Sequence, residues 1–92
     1  MSNNPKKPNS TRTYIVFRLS RASVSQTKMA ESIGCTFEAL NQTINGRKSY
    51  PIVQANLAAA LGYPSWENLV RASEKFASDI EHIYLRLSKE VV

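Results

Sequence analysis

The sequence is poor in the residues that build covalent or metal-held scaffolds: it has one cysteine, Cys35, and one histidine, His82. A single cysteine makes no internal disulfide, and two soft ligands do not complete a tetrahedral zinc site. No cofactor is expected. Long apolar runs are also missing. Nothing approaches the about 18 residues that a membrane helix needs, and the polar, basic stretch Met1 to Asn9 has no signal-peptide core. These features point to a cytoplasmic chain with no membrane partner, in which the Asn-x-Ser/Thr triplets at Asn9 and Asn41 are chance matches. Paired catalytic acids, a Ser-His pair and a metal cluster are lacking too, so neither an enzyme nor a small-molecule site is expected.

Acidic residues are scarce, with 7 against 12 basic ones, and their distribution is uneven. Residues 1–48 hold eight of the basic residues and only two acids, Glu31 and Glu38, a net charge of +6 against −1 for the remainder. A polyanion would therefore meet the first half, leaving the second for folding or self-association. Ordinary solvated surface charge is the alternative. Ninety-two residues make one small domain with a thin core, for which dimerisation is a natural supplement.

Along the chain, residues 1–10 (MSNNPKKPNS) read as a flexible basic arm, and 11–92 as a single domain. The run RTYIVFRLSRA favours strand by propensity, but Ile15, Leu19 and Ala22 keep helical spacing, and the spacing predicts helix. Ser25 is a good N-cap for a short helix carrying Met29, Ala30 and Ile33, which Gly34 ends. Thr36 caps the next, with Phe37, Leu40 and Ile44 on one side, closed by Asn45-Gly46. Pro51 opens a fourth helix in which Ile52, Val53, Ala55, Leu57, Ala58 and Leu61 are expected to be mostly buried, and Gly62 closes it. Ser65 then caps a fifth. Its apolar stripe runs from Trp66 through Leu69, Val70, Ser73, Phe76, Ala77, Ile80, Ile83, Tyr84 and Leu87 to Val91.

Two short helices separated by Gly34-Cys35-Thr36 make a pattern in which the second helix is free to enter a major groove. Ala30 is small where the helices meet, Gly34 turns the chain, and Ile33, Leu40 and Ile44 pack between them. Residues 24–69 resemble the lambda-repressor/Cro-like helix-turn-helix family. The resemblance rests on Ser25-Gln26, Ala30, Ile33-Gly34, Leu40, Asn45-Gly46 and Ala59-Ala60-Leu61-Gly62, in that order and spacing, and covers about half the chain. It implies an all-α, five-helix domain with the motif at 25–45, a basic arm before it, and an extended C-terminal helix at 65–90. Thr43 departs from the family's usual aliphatic residue, so Ile44 is expected to take over that packing role. The long C-terminal stripe exceeds a usual fifth helix and points to association surface.

The exposed edge of the second motif helix is expected to be Phe37, Glu38, Asn41 and Gln42. The carboxamides of Asn41 and Gln42 suit the N6/N7 edge of adenine, although a plain polar face is the alternative. Phe37 suits a thymine methyl or simply staples the helix; Glu38 suits cytosine N4 or the helix dipole. Gln26, at a helix start, suits a phosphate oxygen. Thr36 suits phosphate or its cap alone. Asn45, Arg47 and Lys48 stand where the resemblance implies backbone contacts, and Lys6, Lys7 and Arg12 add cations from the arm. Cys35 reads as a small apolar residue and His82 as a helix-surface residue.

The resulting expectation is a sequence-specific regulator of bacterial or phage type, a repressor. It would bind an inverted repeat in double-stranded DNA as a homodimer, through an interface of Phe76, Ile80, Ile83, Tyr84 and Leu87. An antitoxin-like or adaptor protein, whose last helix grips another protein, is the alternative. A ribbon-helix-helix binder with residues 12–19 as strand fits less well, because the helices of the 25–45 segment are too short.

Overall fold

The computed structural model describes the backbone of residues 9–91 and the side chains of residues 9–80. Lys6 and Lys7 of the arm, and the side chains of His82, Ile83, Tyr84 and Leu87, lie outside the described residues. The described residues form five helices and no strand: α1 (Ser10–Arg21), α2 (Gln26–Ile33), α3 (Phe37–Ile44), α4 (Pro51–Ala60) and α5 (Trp66–Val91). None is long and apolar enough to cross a membrane.

The β-branched and aromatic run becomes α1 because burial overrides propensity. Ile15 and Leu19, four residues apart, are 0% and 4% exposed, and Tyr14 beside them is buried as well. The helix starts earlier than the sequence suggests. Ser10 is its first residue, and Asn9, placed in the arm by composition, is its N-cap, accepting from the Arg12 amide at 3.0 Å. Ser25 and Thr36 cap α2 and α3 in the same way, and Ser65 accepts from the Asn68 amide at the start of α5.

Helices α1 to α4 all stop with one hydrogen-bond pattern, a backbone amide reaching back five residues: Val24 to Leu19, Cys35 to Ala30, Arg47 to Gln42 and Tyr63 to Ala58. This closure needs a left-handed residue just past the helix. Glycine fills it at α2, α3 and α4, whereas Ser23 (φ 59°) fills it at α1.

The core draws on every helix: Tyr14, Ile15 and Leu19; Met29 and Ala30; Leu40 and Ile44; Val53, Leu57 and Ala58; and Leu69. Helix α4 buries one face only. Ile52 is 75% exposed and Ala55 is exposed, against the expectation for both, because inward-facing Val53, Leu57 and Ala58 fix the helical phase and turn their neighbours out. Thr43 is buried alongside Ile44, so Ile44 adds to the packing at that position instead of replacing it. The Thr43 hydroxyl donates to the Ala39 carbonyl at 2.8 Å, which makes its burial tolerable.

Helix α1 lies chiefly along α5. Ser73, fully buried, donates to the Val70 carbonyl at 2.6 Å, so the 3.0 Å contact with Thr11 has the threonine as donor. Phe76 stacks at an angle on Tyr14 and Phe17, with centroids 5.2 and 4.9 Å away. Phe76, expected between chains, is therefore used within this one. Ile80, one turn further, is 50% exposed, and α5 continues to Val91.

Candidate nucleic-acid interface

Helices α2 and α3 are joined by Gly34, Cys35 and Thr36 and held by Met29, Ala30 and Leu40, with half-buried Ile33 and Cys35 at the edge. Gly34 (φ 78°) makes the turn at no Cβ cost. The capping hydroxyl of Thr36 is occupied by the Ala39 amide at 3.0 Å.

The polar residues of α3 are not the free edge that their spacing suggests. Asn41 and Gln42 are half-buried, whereas Phe37 and Glu38 are exposed. The Asn41 amino group donates to Gln26 Oε1 at 3.1 Å, joining α3 to the first residue of α2. The Tyr50 hydroxyl donates to Gln42 Oε1 at 3.0 Å and ties the α3–α4 loop to the helix. Asn45, the C-cap of α3, donates through Nδ2 to the Asn41 carbonyl at 2.9 Å and to Asn41 Oδ1 at 3.1 Å. Its own oxygen accepts from Arg12 Nε at 2.6 Å, and its carbonyl from Asn9 at 3.3 Å. Arg12 therefore belongs to the first turn of α1, bound to the end of α3, and not to a free arm. Nothing local in the sequence signals this pairing, because its partners lie 33 residues apart.

Beyond Asn45, Arg47 and Lys48 are exposed in the α3–α4 loop. They border a shallow groove of about 440 Å³ that runs past Asn9 and Thr11 to Gln54 and Trp66. Lys28, also exposed, is on α2. The described part of this region thus gathers Gln26, Asn41, Gln42 and Asn45 with exposed cations at its margins.

A second polar cluster has a different character. Arg18 donates to the Tyr14 hydroxyl at 2.9 Å and to the Leu61 carbonyl at 3.0 Å, and its guanidinium is 5.7 and 5.9 Å from the centres of the Tyr14 and Tyr63 rings. The two tyrosine hydroxyls share a hydrogen bond. Burial pushes the Tyr14 phenol up, but hydrogen bonds from Tyr63 and Arg18 and the guanidinium charge outweigh it and leave the group below its ordinary value. Tyr63 is raised, first by its hydrogen bond to Tyr14 and then by burial. This cation is spent on joining α1 to the end of α4.

Among the described residues no group of three or more His, Cys, Asp or Glu side chains is placed to hold a metal ion. No family model, curated protein or solved structure matches the chain.

Proposed function

We propose that the chain is a helix-turn-helix protein of the lambda-repressor/Cro-like kind that binds double-stranded DNA sequence-specifically and represses transcription by occupying a promoter. The observation that carries this reading is the association of α2 and α3 through a three-residue turn, with a carboxamide of each helix bonded to the other and Arg47 and Lys48 exposed in the loop that follows α3. Helix α3 supplies side chains to base edges in the major groove, with exposed Phe37 and Glu38 at its start and Gln42 further on. Arg47 and Lys48 meet phosphates and set the register.

A homodimer formed through α5 brings two such surfaces to half-sites about 34 Å apart on an inverted repeat. Half-exposed Ile80, with Ile83 and Leu87 following at helical spacing, supports that pairing. Exposed Ile80, together with Val16 and Phe17 on α1, favours the adaptor or antitoxin-like reading as the alternative.

Selection of duplexes from a random pool tests the proposal. A palindromic motif whose affinity falls steeply with salt is the expected result. Recovery of no motif, or binding indifferent to salt, refutes it. Sedimentation of the pure chain separates the alternatives, since a monomer that becomes stable only with a host protein favours the adaptor.

A further inference from the structure

Arg12, Asn45, Asn41 and Gln26 form one file of hydrogen bonds from α1 across α3 to α2. Arg12 Nε donates to Asn45 Oδ1 at 2.6 Å, Asn45 Nδ2 to Asn41 Oδ1 at 3.1 Å, and Asn41 Nδ2 to Gln26 Oε1 at 3.1 Å. A carboxamide can turn end for end, because its oxygen and amino group match in shape and differ only in hydrogen-bonding sense. A guanidinium has no such freedom, since it only donates. With Arg12, which only donates, on one side and the Asn41 backbone carbonyl, which only accepts, 2.9 Å from Nδ2 on the other, Asn45 must turn its oxygen to the arginine and its amino group to Asn41. Asn41 must then turn its amino group to Gln26, which accepts through Oε1. The file ends with Gln26 Nε2, which has no partner among the described residues. Gln42 ends up alike by a separate route, because the Tyr50 hydroxyl fills one acceptor position of its oxygen.

We propose that Arg12, together with the Asn41 carbonyl, sets the polarity of this relay, so that the α2–α3 surface offers amino groups and recognises hydrogen-bond acceptors on the duplex. The acceptor is guanine N7/O6 or a backbone phosphate oxygen. The inference rests on the DNA-binding reading and narrows it. Arg12 acts through Asn45 and Asn41 and is a positioning residue. Asn41, with both ends of its amide engaged inside the protein, does not offer the donor and acceptor pair that adenine requires.

Asn45→Asp tests the relay because it keeps the shape of the side chain but only accepts. Arg12 then holds one carboxylate oxygen while the other draws the Asn41 amino group, Asn41 and Gln26 turn over, and Gln26 presents its oxygen. Side-chain amide exchange, followed by NMR on the free protein, reads this directly. In the unaltered chain the Asn41 amino group is protected and that of Gln26 exchanges with solvent, whereas in N45D the Gln26 amino group becomes protected. Arg12→Met leaves the sense of Asn45 to the Asn41 carbonyl alone, so protection of the Asn41 amino group should fall, and Arg12→Lys should restore it, which decides the matter even if N45D does not fold.

The second arm uses selected duplexes carrying 7-deazaguanine, or a methylphosphonate, at each position in turn. One such substitution is expected to cost about tenfold in affinity, a loss that Gln26→Ala abolishes, and its identity distinguishes base from phosphate. R12M is expected to reduce discrimination among duplexes severalfold, while R12K retains it. A protected Gln26 amino group in the unaltered chain, or exchange indifferent to R12M, overturns the relay whatever DNA does. An intact relay in a protein that selects no duplex overturns the DNA-binding reading instead. Duplex binding sensitive to neither substitution overturns the proposed acceptor recognition.

Discussion

Two arginines of the basic half, Arg18 and Arg47, are predicted to fail in opposite ways. Arg18→Met keeps most of the aliphatic stem and removes the guanidinium. The loss comprises charge-assisted hydrogen bonds to the Tyr14 hydroxyl and the Leu61 carbonyl and two cation–π contacts near 6 Å. A hydrogen bond to a charged group contributes about 1.5–3 kcal/mol, and an exposed cation–π contact about 0.5 kcal/mol. Water can reach this half-buried cluster and replace part of what is lost, so the net cost is about 2–3 kcal/mol. For a chain of this size that corresponds to a fall in Tm of about 10–20 °C. Arg18→Lys recovers only part of it, because an ammonium does not reproduce the planar fork that reaches both partners. Urea denaturation followed by far-UV circular dichroism measures the loss. With folding restored at low temperature, the salt dependence of DNA binding should be unchanged in R18M. Arg47→Ala should behave conversely, with stability within about 0.5 kcal/mol of the parent and a salt slope shallower by about one unit. The reasoning is refuted if R18M unfolds with the parent, or if R18M and R47A alter the salt slope equally.

The tyrosine pair gives a pH signature. Tyr14 lies below its ordinary value and Tyr63 above it, so tyrosinate absorbance should resolve one of this pair ionising below and one above pH 10, and R18M should raise both, leaving them split by their shared hydrogen bond. By linkage, the depressed Tyr14 adds stability as pH rises past its folded value. The raised Tyr63 contributes below its unfolded value and loses that contribution as pH climbs through its folded one. This pair should therefore add stability as pH approaches 10 and lose part of it beyond, and a steep loss before pH 10 would contradict the assignment. Ser23→Gly should stabilise by about 0.5–1 kcal/mol by relieving a left-handed serine, and Gly34→Ala should destabilise by about 1–2 kcal/mol, both read from thermal melts. Ile80→Asp should leave the monomer folded, because Ile80 is half-exposed, but abolish self-association in sedimentation equilibrium; a dimer that survives would rule out an interface at this position.

Helix ends were the most legible part of the chain, because Ser25, Thr36, Gly34 and Pro51 act within a turn of where they stand. Helix α1 was harder, since Tyr14 to Phe17 prefer strand and only packing on α5, some sixty residues later, decides between the two. The phase of α4 was hidden for another reason. Ile52, Val53 and Ala55 are all apolar, and a helix that is apolar on every side does not specify its buried face. In the candidate interface, residue types were legible but exposure was not. Asn41 and Gln42 are covered by Gln26 and Tyr50, which lie 15 and 8 residues away, and Arg12 was read as part of a loose arm because its partner Asn45 is remote. A polar side chain reads as free unless its partner is near in sequence.

The first helix of the chain finds its main support in the last. A polypeptide emerging from the ribosome can complete α2 to α4 early, but Tyr14 and Phe17 wait for Phe76. Until α5 is made, nothing on that side seats α1, and Arg12 has no fixed platform from which to hold Asn45. Shortening the gene from its 3′ end should thus cripple the surface at the opposite end of the reading frame before it removes a single residue of that surface.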